Sequence, residues 1–289
     1  MKNPFVILYP IAIAAIIHIS CNQKTNLSRD ETNIRKAYAA LEKKDFATFA
    51  SLCSDDYREL GLSPQPIQGI QACIAQYKVF LDAFPDTKFE IQSITPAGKN
   101  RYFLQIHMTG TNTEKFLMLP PNGKSYDALD VDIIELNDAG KCISHWSANA
   151  DAPLDQIGYS AINNPTTGIA MSAYEYFGKG AINALLELCS NDVVFEIHDR
   201  TLDTKPRWFK GKEEVAKFFI ELNSKIVYSK FEPVRFLADG DDLATSVDVE
   251  FVQTATKKKF KGNYAHRFKT KDGKLIYFKG MDDMCELIP

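Results

Sequence analysis

The sequence predicts an α+β protein made of two tandem copies of one unit, each with N-terminal helices packed on a strongly curved antiparallel sheet that closes into a cone. Three observations predict it. Ala37-Tyr38 leading to Leu52-Cys53-Ser54 recurs as Ala173-Tyr174 leading to Leu188-Cys189-Ser190, at a constant offset of 136 residues. Phe46, Phe49, Ala50 and Cys53 map by that offset onto Ile182, Leu185, Leu186 and Cys189, so the copies share a helical face as well as letters. In each copy a 3.6-residue period then gives way to a period of two, which is the order helices first, sheet second. A chain of 289 residues is long enough for two such units, each burying a core without disulfides or a structural metal.

The elements follow in order. Ile34, Ala37, Tyr38 and Leu41 predict a helix from near Asn33, and a second short helix follows Asp45. Ile70, Cys73, Ile74, Tyr77, Leu81 and Phe84 form one apolar stripe that stops at Pro85, which cannot continue the helical ladder. Alternation then predicts strands over Phe89 to Ile94, Tyr102 to Thr109, Ala128 to Leu136 and Lys141 to Ala148, the last two joined by a turn at Asn137-Asp138-Ala139-Gly140. The second copy repeats this. Helices run up to Cys189, a strand covers Val193 to Ile197, and Val215, Phe218, Phe219 and Leu222 mark another helix. Strands follow at Leu243 to Val252, Phe260 to Thr270 and Leu275 to Met281, with Lys271-Asp272-Gly273 turning between the last two. Residues 31–151 are thus the first domain and 168–289 the second, while 152–167, with Pro153, Gly158 and Pro165 and neither period, read as a linker.

The chain begins with Lys2, an apolar stretch from Phe5 to Ile19, and Ser20-Cys21, too short to span a bilayer comfortably. Residues 1–21 read as an export signal and 22–30 as a polar tether. The apolar run ending in a small residue and cysteine resembles a bacterial lipoprotein signal, although His18 departs from the usual apolar residue. That resemblance implies lipidation of Cys21, attachment to the membrane through this lipid only, and domains held outside the cytoplasm at the cell envelope, on the outer membrane. An uncleaved anchor or an ordinary secretory signal are the alternatives, and both leave Cys21 without a role.

Hydrophobic content of 45%, charged content of 25% and a net charge of -3 are those of a globular protein with no electrostatic footprint for nucleic acid. Lys257-Lys258-Lys259 with Lys261 sit between two alternating segments and read as a solvated hairpin turn. No C-x-x-C occurs and no histidine has a zinc-partner spacing, so neither a metal nor a cofactor is expected. Cys53, Cys73 and Cys189 read as small buried hydrophobes on helix faces rather than nucleophiles, and no disulfide framework is indicated.

More specific letters sit in the first copy. Phe84-Pro85-Asp86 precedes Phe89-Glu90-Ile91; Gly110-Thr111-Asn112-Thr113 leads through Phe116-Leu117 to Pro120-Pro121-Asn122-Gly123-Lys124; Gly140-Lys141 and His145-Trp146 follow. This ordered set resembles the SnoaL-like polyketide and ester cyclase family, over most of residues 33–158, and implies the NTF2-like fold. The second copy resembles the wider SnoaL-like and ketosteroid-isomerase-like group through Phe209-Lys210-Gly211 and Gly273-Lys274-Leu275. The resemblance also implies an acid-base aspartate five residues after the histidine of His-Trp. Here that position is Ala150, and Asp151 lies one residue later, which in a strand reverses the face.

Proton abstraction beside a carbonyl needs a carboxylate or imidazole within reach, and donors where the enolate oxygen develops. In the first copy the polar candidates are Asp132, with Asp130 on the same strand face, and His107, Tyr126, His145, Trp146 and Asp151. The hydrophobic-in rule would put Asp130 and Asp132 on the solvent face, opposite Leu129, Val131 and Ile133, and make Trp146 core. In the second copy Tyr264, His266 and Phe268 share a strand face. Asp283, with Asp282 as rival, aligns with an acidic residue near the end of the last strand in the related group, and His198 and Trp208 flank a polar loop. His266 reads equally as a satisfied core histidine.

Three functions are compatible with these residues. The first is a binder of a small, largely apolar molecule in one or both cones. The second is a cyclase, isomerase or hydratase using Asp132 or His145, or His266 with Asp283. The third makes one copy structural, the two sheets pairing internally in a monomer.

Overall fold

The structure, a computed structural model, describes residues 28–62 and 65–288, with side chains up to 282; residues 1–21, read above as an export signal, and Cys21 as lipidation site lie outside the described residues. The first copy runs α1 (Arg29–Glu42), α2 (Phe46–Leu52), β1 (Cys53–Leu60), β2 (Ile67–Gln68), α3 (Ile70–Ala83), β3 (Lys88–Pro96), β4 (Arg101–Thr111), β5 (Ser125–Leu136) and β6 (Cys142–Ser147). A short α4 (Ala152–Ile157) and a 3-10 turn (Ser160–Asn163) lead into α5 (Pro165–Gly178) and α6 (Ile182–Leu188). The second copy continues with β7 (Cys189–His198), β8 (Arg207–Lys210), α7 (Gly211–Lys225), β9 (Ile226–Asp239), β10 (Asp242–Gln253), β11 (Lys259–Lys271) and β12 (Lys274–Ile288).

Each copy builds one six-stranded sheet, ordered β2-β1-β6-β5-β4-β3 and β8-β7-β12-β11-β10-β9, so the second order repeats the first strand for strand. The predicted α+β architecture of two helix-covered cones is present. One detail differs: β1 pairs with β6, and β7 with β12, in parallel, because the chain returns to the first strand only after crossing α3 or α7 and the hairpins. β1 itself was not foreseen, since its charged sequence lacks an apolar alternation. The linker stretch is not irregular either: it holds α4, with Pro153 in the first turn and Gly158 ending it at φ 86°.

Local chemistry sets the helix ends. Ser28 caps α1 by accepting from the Glu31 amide, and Asp45 caps α2 by accepting from Thr48 at 3.0 Å. Helix α1 buries Ile34, Ala37, Tyr38 and Leu41 over its sheet, and α3 buries Ile70, Cys73 and Leu81. Full burial of a leucine such as Leu81 stabilises by about 1.5–3 kcal/mol. Cys53 and Cys189 are buried, as expected, but they open strands β1 and β7 instead of lying on helices.

Register decides the site. On β5, Tyr126, Ala128, Ile134 and Leu136 face inward, and with a period of two Asp130 and Asp132 must follow them. The outer face carries Leu129, 63% exposed, with Val131, Phe103 and Trp146 also exposed. The solvent-face reading of the two aspartates is therefore reversed, and Trp146 is not core. This outer apolar face is open to solvent.

Candidate functional site

The first cone encloses a cavity of about 270 Å³. Its walls are apolar side chains of the helices, among them Leu41, Phe49, Phe80 and Leu81, and its floor is a polar group on the sheet. His145 on β6 lies between two carboxylates: its Nδ1 is 2.6 Å from Glu59 Oε1 and its Nε2 is 3.0 Å from Asp132 Oδ2. Glu59 and His145 are partners across the β1–β6 ladder, and Asp132 stands one strand further on β5. Burial alone would lower the imidazole's pKa, but the charges of Glu59 and Asp132 and the hydrogen bonds to both hold it well above the usual histidine value. Protonated, it donates from both ring nitrogens.

Tyrosines complete the group. Tyr57 donates to Glu59 Oε2 at 3.0 Å, Tyr77 donates to the same oxygen, and Tyr38 on α1 donates to Asp132 Oδ2. Burial first, and then the neighbouring carboxylates and, for Tyr57, the Tyr77 phenol ahead of Glu59, push all three phenols well above their ordinary range, so they remain donors. Asp130 is spent differently. It accepts from Ser147 Oγ, from the Val131 amide at 2.7 Å and from the Asn149 amide at 2.9 Å, while burial raises its carboxyl. Every carboxylate oxygen of the group is bonded except one: Asp132 Oδ1 is buried without a partner. A buried carboxylate oxygen left unpaired costs roughly 1–3 kcal/mol or more, so this is a place where the fold carries strain that a bound donor would relieve.

The second cone shows the same scaffold with the charges removed. The 136-residue offset carries Tyr38 onto Tyr174 and Glu59 onto Phe195. Phe278 pairs with Phe195 and with Phe268 as His145 pairs with Glu59 and Ile134, so Phe278 holds the place of His145 and His266 that of Asp132. Tyr174 hydrogen-bonds His266 Nδ1 at 2.8 Å, as Tyr38 bonds Asp132. The Phe278 ring lies tilted at 4.8 Å from Phe195 and edge-on at 5.0 Å from His266, between centroids, and the remaining cavity is about 80 Å³. With no charge nearby to oppose it, burial lowers the His266 pKa to about 3, so the ring is neutral. Tyr264 and Phe268 line this cavity as expected, and Asp199, raised by burial, joins them.

The other candidates are dispersed. Asp151 sits at the rim of the first cavity beside Ala150, accepts from Asn163, and is raised by burial and by Asp155. His107 lies outside the cavity, 2.7 Å from Asp127 and 3.5 Å from Glu90, whose hydrogen bonds raise its pKa. Tyr126 is buried under Gly110 and bonded to Thr87 Oγ1 at 2.9 Å, so it is core and not wall. Trp146 faces outward, as does Trp208, 54% exposed and edge-on to His198, which pairs with Glu196 at 2.5 Å. Asp282 pairs with Arg200, and the side chain of Asp283 lies outside the described residues. Among the described residues no group of three or more His, Cys, Asp or Glu is placed to hold a metal. Sequence reasoning missed Glu59 altogether; the only signal was Tyr57 and Glu59 two apart in a segment too charged to read as a strand.

Comparison with known proteins places these features. Residues 32–156 match the SnoaL-like polyketide cyclase family model and residues 172–278 the SnoaL-like domain model. No curated protein sequence matches the chain. Among solved structures it is similar to AclR from Streptomyces galilaeus, at 24% identity over 45% of this chain and 95% of that one, with a TM-score of 0.39. It is also similar to TsrD from Streptomyces laurentii, at 18% identity over 46% and 98% of the two chains, with a TM-score of 0.40. An NTF2-like protein from Burkholderia xenovorans LB400 follows at 17% identity over 41% and 89%, with a TM-score of 0.38. With a family model matching each copy, the chain belongs to the SnoaL-like family and carries two of its domains in tandem.

Proposed function

We propose that the first domain binds a small, neutral, largely apolar carbonyl compound and that Asp132 exchanges a proton with it, in the manner of an isomerase or cyclase. The observation that carries this is Asp132, which lines the cavity and whose buried Oδ1 has no partner. Tyr38 and His145 occupy Oδ2 and fix the plane of the carboxylate, which leaves Oδ1 to meet the ligand. One imidazolium between two carboxylates leaves the floor with excess negative charge, which favours a donor group or an acidic C–H and opposes a carboxylate ligand. An engineered cavity of about 150 Å³ holds benzene, so the first cavity suits roughly ten to twelve non-hydrogen atoms. In the second domain the ring-filled interior supports a structural role or a much smaller ligand.

The test uses neutral cyclic ketones and cyclic β-ketoesters of that size as probes, with deuterium wash-in at the acidic carbon followed by NMR. Wash-in accelerated by the protein and slowed about 10²–10⁴-fold in Asp132→Asn supports the reading. Wash-in equal in Asp132→Asn and the parent protein refutes it. The sequence through Cys21 supports export and lipid attachment. The mature protein should then enter the detergent phase on phase partition and Cys21→Ala should not; among the described residues no helix is long and apolar enough to cross a membrane.

A further inference from the structure

Strands β1 and β6, which bring Glu59 to His145, also pair two thiols on the far side of a register shift between Cys53 and Arg58. Cys53 and Cys142 are paired Cα positions of β1 and β6, both buried, and both line the first cavity. The Cys142 thiol donates to the Ser144 carbonyl at 3.4 Å, and Cys53 is the first influence on its titration. Neighbouring strands run about 4.8 Å apart, inside the roughly 4.4–6.8 Å between Cα atoms that a disulfide bridges.

The second copy supplies an internal comparison. The same two ladder positions there hold Cys189 and Leu275, so an aliphatic side chain is what the scaffold places at the β12 position when no partner thiol is used. Cys73, the other buried thiol of the first copy, has no ladder partnership with Cys53, and its own thiol donates to the Ile67 carbonyl at 3.7 Å.

We propose that Cys53 and Cys142 are a cross-linking site, joined as a disulfide when the chain folds in an oxidising compartment. The reaction is thiol–disulfide exchange with a small-molecule or protein disulfide as oxidant. One cysteine thiolate attacks the oxidant's S–S bond and releases one thiol; the second cysteine attacks the resulting mixed disulfide and releases the other. The pair gives up two protons and two electrons, and the oxidant's disulfide takes up both to become two thiols. The neighbouring Cys53, and then burial, raise the Cys142 thiol well above its ordinary range, so exchange belongs to the folding chain, before β6 closes against β1. Once formed, the bond ties together the two strands that bring carboxylate to imidazole.

The test refolds the full chain from denaturant in a buffer of reduced and oxidised glutathione, quenches it with acid, alkylates without reduction and maps the peptides by mass spectrometry. The expected result is a peptide linking Cys53 to Cys142, two hydrogens lighter than the reduced pair, with Cys73 and Cys189 alkylated. Alkylation of both Cys53 and Cys142, or a link from Cys53 to Cys73, overturns the proposal. Cys142→Leu, which imports the second copy's own residue, should fold by circular dichroism and lose the linked peptide; a link at Cys53 that survives it likewise counts against the assignment.

Discussion

Raising the pH is the simplest perturbation of the charged floor, and its effect on stability has a definite sign. Unfolded, His145 titrates near 6.5; folded, Glu59 and Asp132 hold its proton to a pH well above that. In the window above 6.5 the native state binds more protons than the unfolded state, so stability falls as pH rises toward the folded value, and it is fully retained below the unfolded value. One proton is involved, which corresponds to a loss of about 1.4 kcal/mol for each pH unit. Urea unfolding followed by far-ultraviolet circular dichroism between about pH 7 and pH 8 measures this directly. The window lies above the range in which His266 titrates, so that ring does not contribute. Glu59→Gln keeps the shape and an acceptor for Tyr57 and Tyr77 but removes one of the two charges, so the imidazole should lose its proton at lower pH and the slope should shrink. His145→Gln should abolish that part of the slope, leaving what exposed groups such as His107 supply. Equal slopes in the parent, Glu59→Gln and His145→Gln proteins would refute the imidazolium between carboxylates.

Two further outcomes follow from the comparison of the cones. His266 has the opposite sign: its folded pKa of about 3 lies below the unfolded 6.5, so acidification within that window should cost about 1.4 kcal/mol per pH unit, and His266→Phe should move acid unfolding, read by circular dichroism, to lower pH. His145→Phe alone strands two buried carboxylates and should cost about 3–5 kcal/mol, while Glu59→Phe, which leaves the imidazolium its Asp132 partner, should cost less. The double variant, which copies Phe195 and Phe278, should cost less than the sum by about 1–3 kcal/mol in urea titrations, and strict additivity would show that the two side chains do not act as a pair.

Much of the fold was legible because its signals are local. Proline ended α3 where the apolar stripe broke off, and the constant offset between Tyr38 and Tyr174 revealed the duplication before any contact was known. The site was legible only in part. Both faces of β5 contain apolar residues, Leu129, Val131 and Ile133 against Ala128, Ile134 and Leu136, so alternation alone left the direction of Asp130 and Asp132 open; the choice is made by the helices that α1 and α3 lay over one face. Glu59 was hidden because β1 is a strand by virtue of its neighbours β2 and β6, not of its own composition. His266 shows the converse. Its place between aromatic neighbours was readable, but that Phe278 fills the room beside it follows from ladder pairing across β12, which one sequence does not display.

Because Phe195, Phe278 and His266 occupy the stations of Glu59, His145 and Asp132, a single polypeptide contains both a charged and an aromatic edition of one interior. The aromatic edition gains what close-packed rings supply and keeps little open room; the charged edition keeps its cavity and tolerates an unsatisfied oxygen. A protein so divided offers the experimenter a reference measured at the same concentration, in the same tube, on the same molecule.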